Sequence, residues 1–515
     1  MSAFARGDGA GAEAARPNRF LSRLDRSALR PVHAVWEITL ACDLKCGHCG
    51  SRAGKPRAKE LSTEECLEVV AELAALGTRE VTLIGGEAYL RRDFATIVAA
   101  VTAAGMQCTL QSGGRNLNEE RVRAAVAAGV TAVGISIDGT RELHDLLRGV
   151  RGSFDAAVAS LHRLREHGVV TSVNTQITAQ VVGQLDDVLD VVIAAGAKNW
   201  QVQLTVPMGR AGDHPEMILQ PHQMLDVLPK LSALFHRASR SGVLLQIGNN
   251  VGYFGPFEGE LRGNGYEAIH YEGCLGGQNT IGIEADGSVK GCPSLPTDAY
   301  VGGNVREIDL TTIWLDTPEL SFSRERRDPQ WGFCGTCYYK DVCRGGCTWM
   351  AHSLLGKPGN NPFCHHRALE LQRQGVRETI RPVRAAPGKP FDHGLFEIAV
   401  ETLDGRATDA AAVDGTARDS AADPKHLVVC YGCFRHVFAG ATDCPFCGAV
   451  IDAVRERHTA ALNEAREAAR SLLERLAALQ QADSSYAAAG ASAPVSESTM
   501  PAGSSVTSGG SSAYA

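Results

Sequence analysis

The chain has 515 residues, 44% of them hydrophobic and 21% charged, with a formal net charge of −7. That is a globular balance with room for roughly three or four domains and a large core, and its lack of a basic excess argues against nucleic acid as a partner. The 16 cysteines cluster in CxxxCxxC, CxxC and CPFC patterns, which suit metal or cluster ligation in a reducing, cytoplasmic compartment better than a disulfide framework.

Residues 1–19 are rich in Gly, Ala and Arg and lack an apolar core, so no secretory signal is expected, and residues 1–30 read as a flexible segment. No later run approaches the roughly 18 apolar residues needed to cross a membrane. From residue 36 onward strand-like runs alternate with helical periods. WEITL precedes a helix opening at Ser62, with Glu65 completing a capping box. EVTLIGG, MQCTLQSGG, AVGISIDG, VVTSVNTQIT and NWQVQLTV follow, separated by helices near 93–104, 118–128, 153–167 and 184–195. Six such units imply parallel strands with right-handed crossovers, an α/β fold of the partial (β/α)6 barrel kind at 31–215. Ligands of such sheets bind at the carboxyl ends of the strands. Cys42 to Cys49, Gly85 to Glu87 and Ser136 to Gly139 all fall there.

The first of these motifs, Cys42, Cys46 and Cys49, offers three thiolates where a cuboidal four-iron cluster takes four, leaving one iron open. Zinc knuckles are mostly CxxC or CxxxxC and close the fourth position. The spacing, on the first strand of the barrel, resembles the radical S-adenosylmethionine (SAM) superfamily. The resemblance implies that SAM chelates the open iron and is reductively split to a 5'-deoxyadenosyl radical that abstracts hydrogen from a substrate. It implies that Gly85, Gly86 and Glu87 hold the SAM ammonium, with Ala88 where the family commonly has proline. Ser136, Asp138 and Asn174 would lie near the ribose, and His48 near the adenine. Each has an ordinary alternative: a tight glycine turn, an Asx turn, a solvent-facing loop histidine.

Segment 216–270 reads as a connecting helix and strand region. Within 271–370 the alternation stops and Cys, Gly and aromatic residues dominate. Cys274, Cys292, Cys334, Cys337, Cys343, Cys347 and Cys364 resemble the SPASM extension of radical SAM enzymes that act on ribosomally made peptides or proteins. The resemblance implies two auxiliary 4Fe-4S clusters. One would be held by Cys334, Cys337, Cys343 and Cys364, the other by Cys274, Cys292 and Cys347, whose fourth position falls to a non-cysteine group. Such clusters can accept an electron from substrate or act as structural staples. Sulfatase-maturating members carry an aspartate after the second SPASM cysteine, where this chain has Pro293. The charged run 141–154 sits where family members line the substrate side, or is a solvated loop.

Residues 371–425 read as a linker. At 426–450, Cys430, Cys433, Cys444 and Cys447 form two knuckles able to close a four-thiolate site. They resemble a zinc ribbon, zinc being favoured over iron. Residues 451–482 are expected to form an amphipathic helix with Leu462, Leu472, Leu473, Leu476 and Leu479 on one face, and 483–515 a disordered tail.

The expected activity is a radical SAM enzyme maturing a peptide or protein by crosslinking, thioether formation, epimerisation or oxidation. Its electrons would come from a low-potential donor of the flavodoxin or ferredoxin type. Two alternatives stand beside it: a cofactor or tetrapyrrole enzyme acting on a small molecule, and a non-catalytic iron-sulfur and zinc protein.

Overall fold

The computed structural model describes residue 19 and residues 22–266, 269–325, 330–408 and 426–490. Most of the expected N-terminal segment and tail lie outside the described residues, as does the end of the expected linker.

The six anticipated strands are β1 (His33–Glu37), β2 (Glu80–Ile84), β3 (Gln107–Ser112), β4 (Val130–Ser136), β5 (Val170–Ile177) and β6 (Asn199–Leu204). All pair in parallel in that order. The helices between them fall within a residue or two of expectation, and the capping box at Ser62 and Glu65 forms. Parallel strands under helices are buried on both faces. Trp36, Leu83, Val173 and Trp200 are accordingly fully enclosed, and the Trp200 indole N–H donates to Thr175 Oγ1 at 2.9 Å.

The sheet continues beyond these six. In the expected connecting region, β7 (Leu244–Ile247) joins β6 in parallel. On the other side, β8 (Thr280–Ile283) of the cysteine-rich segment joins β1 in parallel, followed antiparallel by β9 (Ser288–Lys290) and β10 (Val301–Asn304). Both additions satisfy backbone edges that β1 and β6 would otherwise leave unpaired. The ten strands end on β10 and β7, so the barrel is open.

The expected linker is in part structured. β11 (Val376–Arg384) and β12 (Leu395–Thr402) form an antiparallel hairpin. Pro382, read as a linker signal, sits beside a break in register between 382 and 384, where a missing N–H is tolerated. The ribbon contributes β13 (Leu427–Cys430) and β14 (Arg435–Phe438). A short helix, Arg23–Ser27, occupies part of the expected flexible N-terminus. The last helix, Ile451–Gly490, belongs to a separate unit and runs eight residues into the expected tail, whose Ala-rich start favours helix. Its five leucines named above are 41–66% exposed.

Candidate functional site

At the carboxyl ends of the parallel strands lies an open basin of about 1740 Å³, measured out to where it meets solvent. Cys42, Cys46, Cys49, Gly85, Gly86, Glu87, Ser136 and Asn174 line it. Inward-facing strand positions add five side-chain amides: Gln111, Asn174, Gln176, Gln201 and Gln203.

The cysteine loop is fixed by backbone contacts. Cys42 N–H donates to Gly54 O at 3.1 Å, Lys45 N–H to Arg148 O at 3.0 Å and Gly47 N–H to Leu147 O at 2.9 Å. Arg210 closes the far side, its Nε donating to Cys46 O at 2.7 Å and its Nη1 to Ala53 O at 3.0 Å. The turn after β2 threads against this loop, Gly86 N–H bonding Thr39 O and Glu87 N–H bonding Ala41 O, both at 2.8 Å. A Cβ on Gly85 would collide with the Thr39 carbonyl oxygen, and one on Gly86 with that of Ala41. Close backbone approach is what glycine is needed for here.

Each of the three sulfurs has a donor beside it: Leu44 N–H at 3.4 Å from Cys42 Sγ, Arg148 Nη1 at 3.7 Å from Cys46 Sγ, and Ala53 N–H at 3.4 Å from Cys49 Sγ. Hydrogen bonds of this kind stabilise cluster thiolates and tune their potential. Burial pushes the Cys42 thiol up to about 12 and the Cys46 thiol up to about 11, the latter against the pull of Arg148. Thiols so raised are poor nucleophiles at neutral pH and ionise when a metal takes them. The donor set fits a cluster and not a catalytic thiol.

Glu87 is fully buried, and burial raises its carboxyl to about 7. One oxygen accepts from Gly113 N–H at 2.6 Å and the other from Ser112 Oγ at 2.5 Å. Each retains a lone pair for a ligand's ammonium.

Asp138 departs from expectation. Unlike Ser136 and Asn174 it is not among the residues lining the basin. Its carboxylate is enclosed by Arg148, 2.5 Å away, and His48, 3.0 Å away, while Gln176 N–H donates to its other oxygen at 2.8 Å. Burial alone would raise it, but Arg148 and His48 outweigh that and hold it well below the usual carboxylate range. Asp138 thus braces the cysteine loop. The charged run 141–154 supplies Arg148 and the buried His144, whose Nδ1 accepts from Asp138 N–H at 3.1 Å. Arg148 falls inside that charged run, whereas nothing local in the sequence marks Arg210.

The cysteine-rich segment forms two further groups. Cys334, Cys337, Cys343 and Cys364 line one cavity of about 340 Å³ with Tyr253, Phe254 and Tyr339. Cys274, Cys292 and Cys347 lie close enough that their charges act on one another. Pro293, Ser294 and Trp349, which neighbour two of these in sequence, face the basin. In the ribbon, all four sulfurs lie within 4.8 Å of one another, with Cys430 and Cys447 at 3.8 Å and Cys433 and Cys444 at 3.7 Å. A tetrahedral ion with metal–sulfur bonds of about 2.3 Å requires sulfur separations of about 3.8 Å.

The sequence matches the Radical SAM superfamily over residues 36–191 and an iron-sulfur cluster-binding domain, SPASM, over residues 274–338. An AdoMet-dependent heme synthase of Methanosarcina barkeri is 30% identical over 342 residues, covering 65% of this chain and 96% of that protein. The mycofactocin maturase MftC of Mycobacterium ulcerans is 31% identical over 388 residues, covering 73% and 97%. Among solved structures, Streptococcus suis SuiB bound to its precursor peptide SuiA shares the fold, with a TM-score of 0.51, 17% identity, and coverage of 65% of this chain and 75% of that one. The chain belongs to the radical SAM superfamily: it is a SAM-dependent 4Fe-4S enzyme with a SPASM domain.

Proposed function

We propose that this enzyme modifies a ribosomally made peptide or protein, with Cys42, Cys46 and Cys49 holding the SAM-binding cluster and the seven SPASM cysteines two auxiliary ones. When bound, SAM and its cluster supply a 5'-deoxyadenosyl radical. The protein's own residues orient SAM through Gly85, Gly86 and Glu87, with Ser136 and Asn174 on the neighbouring strands, and shape the basin around the reacting carbon. The ribbon holds zinc, and an external flavodoxin- or ferredoxin-type protein supplies electrons.

The observation that carries the peptide reading is the polarity of the basin. Gln176, Gln201 and Gln203 match the donor and acceptor pattern of peptide groups, while the other two amides, Asn174 and Gln111, are bonded to each other. Its arginines are engaged elsewhere: Arg19 with Glu80, Arg148 with Asp138, and Arg210 with two loop carbonyls. A tetrapyrrole bearing several carboxylates calls for cations free to pair with them. The 31% identity with a mycofactocin maturase supports the peptide reading, and the 30% identity with a heme synthase supports the tetrapyrrole one.

Anaerobic reconstitution should load about twelve irons, four per cluster. SAM cleavage is then followed with any small peptides encoded beside the gene and, separately, with iron-coproporphyrin. A mass change in a peptide is the expected result. Conversion of the porphyrin with every peptide untouched overturns the substrate assignment. Production of 5'-deoxyadenosine by the C42A/C46A/C49A variant overturns the cluster assignment.

A further inference from the structure

Glu37 stands on β1 between two fully buried residues, Trp36 and Ile38, and faces the basin. Its side chain is 2% exposed. One carboxylate oxygen accepts from Arg57 Nε at 2.8 Å and Ala285 N–H at 3.3 Å, while the other, Oε2, is buried with no hydrogen-bond partner. The adjacent cations are shared with other acids. Arg57 also pairs with Glu284 at 3.0 Å, and Lys290 is bound to Glu284 at 2.6 Å and to Leu295 O at 2.8 Å. A carboxylate oxygen left open in a buried wall is costly unless something fills it.

Beside Glu37 the basin is walled by Phe391, carried on the loop joining β11 to β12. Phe391 is 8% exposed and has φ of +53°, a left-handed backbone that a bulky residue rarely adopts. Its ring lies 3.9 Å from Lys290 Nζ and 5.9 Å from the Arg57 guanidinium carbon, so it belongs to the same corner as Glu37. The next residue pins the loop. Asp392 takes Lys389 N–H at 2.9 Å and Arg52 Nε at 2.7 Å, and its carbonyl takes Gly209 N–H at 2.8 Å. Arg52 lies three residues beyond Cys49, so the loop bearing Phe391 is registered to the cysteine loop. Strained residues held by several independent anchors cluster at functional sites.

We infer that Glu37 and Phe391 form a substrate subsite, in which the open carboxylate oxygen accepts from a donor of the peptide, an amide N–H, hydroxyl or ammonium, while the phenyl ring packs on the neighbouring apolar side chain. The inference rests on the peptide reading above. Glu37 and Phe391 act as positioning residues: they fix which stretch of peptide lies against the SAM end of the basin and take no part in bond breaking.

The test uses full-length reconstituted enzyme with SAM and its precursor peptide, with iron content and near-UV circular dichroism as folding controls. At pH 8, where Glu37 is ionised, E37Q loses a charge-assisted hydrogen bond and should weaken peptide binding about tenfold and raise KM in proportion, with kcat at saturating peptide within about threefold of wild type. F391A should weaken binding by a similar factor, F391L should recover most of it, and the double variant should lose less than the product of the two, because both act on one subsite. Wild-type affinity in E37Q overturns the subsite and leaves the peptide reading standing. Wild-type affinity in F391A overturns it equally, and serves if E37Q fails to take up iron. An enzyme that binds no peptide but converts iron-coproporphyrin brings down the peptide reading and the subsite together.

Discussion

Arg148 points one guanidinium nitrogen at the sulfur of Cys46, 3.7 Å away, and another at the carboxylate of Asp138, 2.5 Å away. It is the largest pull toward the thiolate at a position where burial alone favours the thiol. Removing it has two effects. R148M leaves Asp138 with His48 as its remaining ion-pair partner, and breaking one side of a buried pair costs about 3 kcal/mol. It also makes Cys46 harder to ionise, so the first cluster should load poorly while the auxiliary sites stay filled, bringing iron toward about eight per chain. Adding D138N should restore much of the stability without restoring the iron. Full cluster occupancy in R148M, by iron assay and electron paramagnetic resonance, would refute the role.

A second expectation follows from the crowding of the turn after β2 against the cysteine loop. A Cβ on Gly86 would meet the Ala41 carbonyl oxygen and the Cys42 Cβ. Neither is the end of a flexible side chain, so relief requires moving the loop that presents the cysteines. G86A should cost at least about 1–3 kcal/mol and abolish SAM binding. Equilibrium dialysis with labelled SAM decides it, and normal binding would show that the loop has slack.

What could be read in advance follows from how local each signal is. Cys42, Cys46 and Cys49, the Gly85–Gly86–Glu87 turn and the ribbon cysteines are fixed by intervals of a few residues, and their strands and helices by periodicity. Asp138 reads as a ligand contact from sequence because a polar residue at a strand end reveals nothing of its partners. Those partners, His48 and Arg148, come from separate segments. The β11–β12 hairpin was hidden by Pro382, Pro387 and Pro390, since proline marks linkers and hairpin loops alike. β7 and β8 are four residues each, too short for a period, and their pairing is decided by edges far away in sequence. Glu37 did carry a signal: a carboxylate between Trp36 and Ile38 in a strand buried on both faces can only face a polar space.

The ribbon is tied to the four-cysteine cavity through Tyr339. Its N–H lies 3.4 Å from Cys337 Sγ, its hydroxyl donates to His436 O at 2.5 Å, and its ring stacks on Phe254 with centroids 4.0 Å apart. Phe446, inside the second knuckle, contacts Tyr338, Tyr339 and His366. Losing the ribbon metal should therefore loosen this wall. C433S/C444S should release one equivalent of zinc and speed iron loss from the auxiliary sites to a chelator. Y339F should keep its zinc and lose only about 1 kcal/mol. The measurement is chelator-driven iron release in a C42A/C46A/C49A background, which removes the first cluster from the signal. Equal rates in C433S/C444S and its parent would separate the ribbon from the cavity, and a parent that holds no zinc but about nine irons per chain, one more than two clusters supply, would replace zinc with iron.

Glu37 gives the chain a pH dependence whose sign is fixed by burial. Removal from water raises its carboxyl to about 7 from an ordinary 4.5, more than the Arg57 charge lowers it, with Glu284 adding to the rise. Between those values the folded protein keeps a proton that the unfolded chain has released. Stability from this group is therefore fully present below about pH 4.5 and is lost as pH climbs through about 7. A displacement of that size corresponds to roughly 3–3.5 kcal/mol at 1.36 kcal/mol per unit. E37Q keeps the shape and cannot titrate, so the wild-type melting temperature should decline relative to E37Q from pH 5 to pH 7.5 and run parallel to it above. Anaerobic thermal unfolding of both proteins across that range measures the gap. Parallel curves throughout would mean that Arg57 compensates the buried charge in full, and that Glu37 meets its ligand as an ordinary carboxylate.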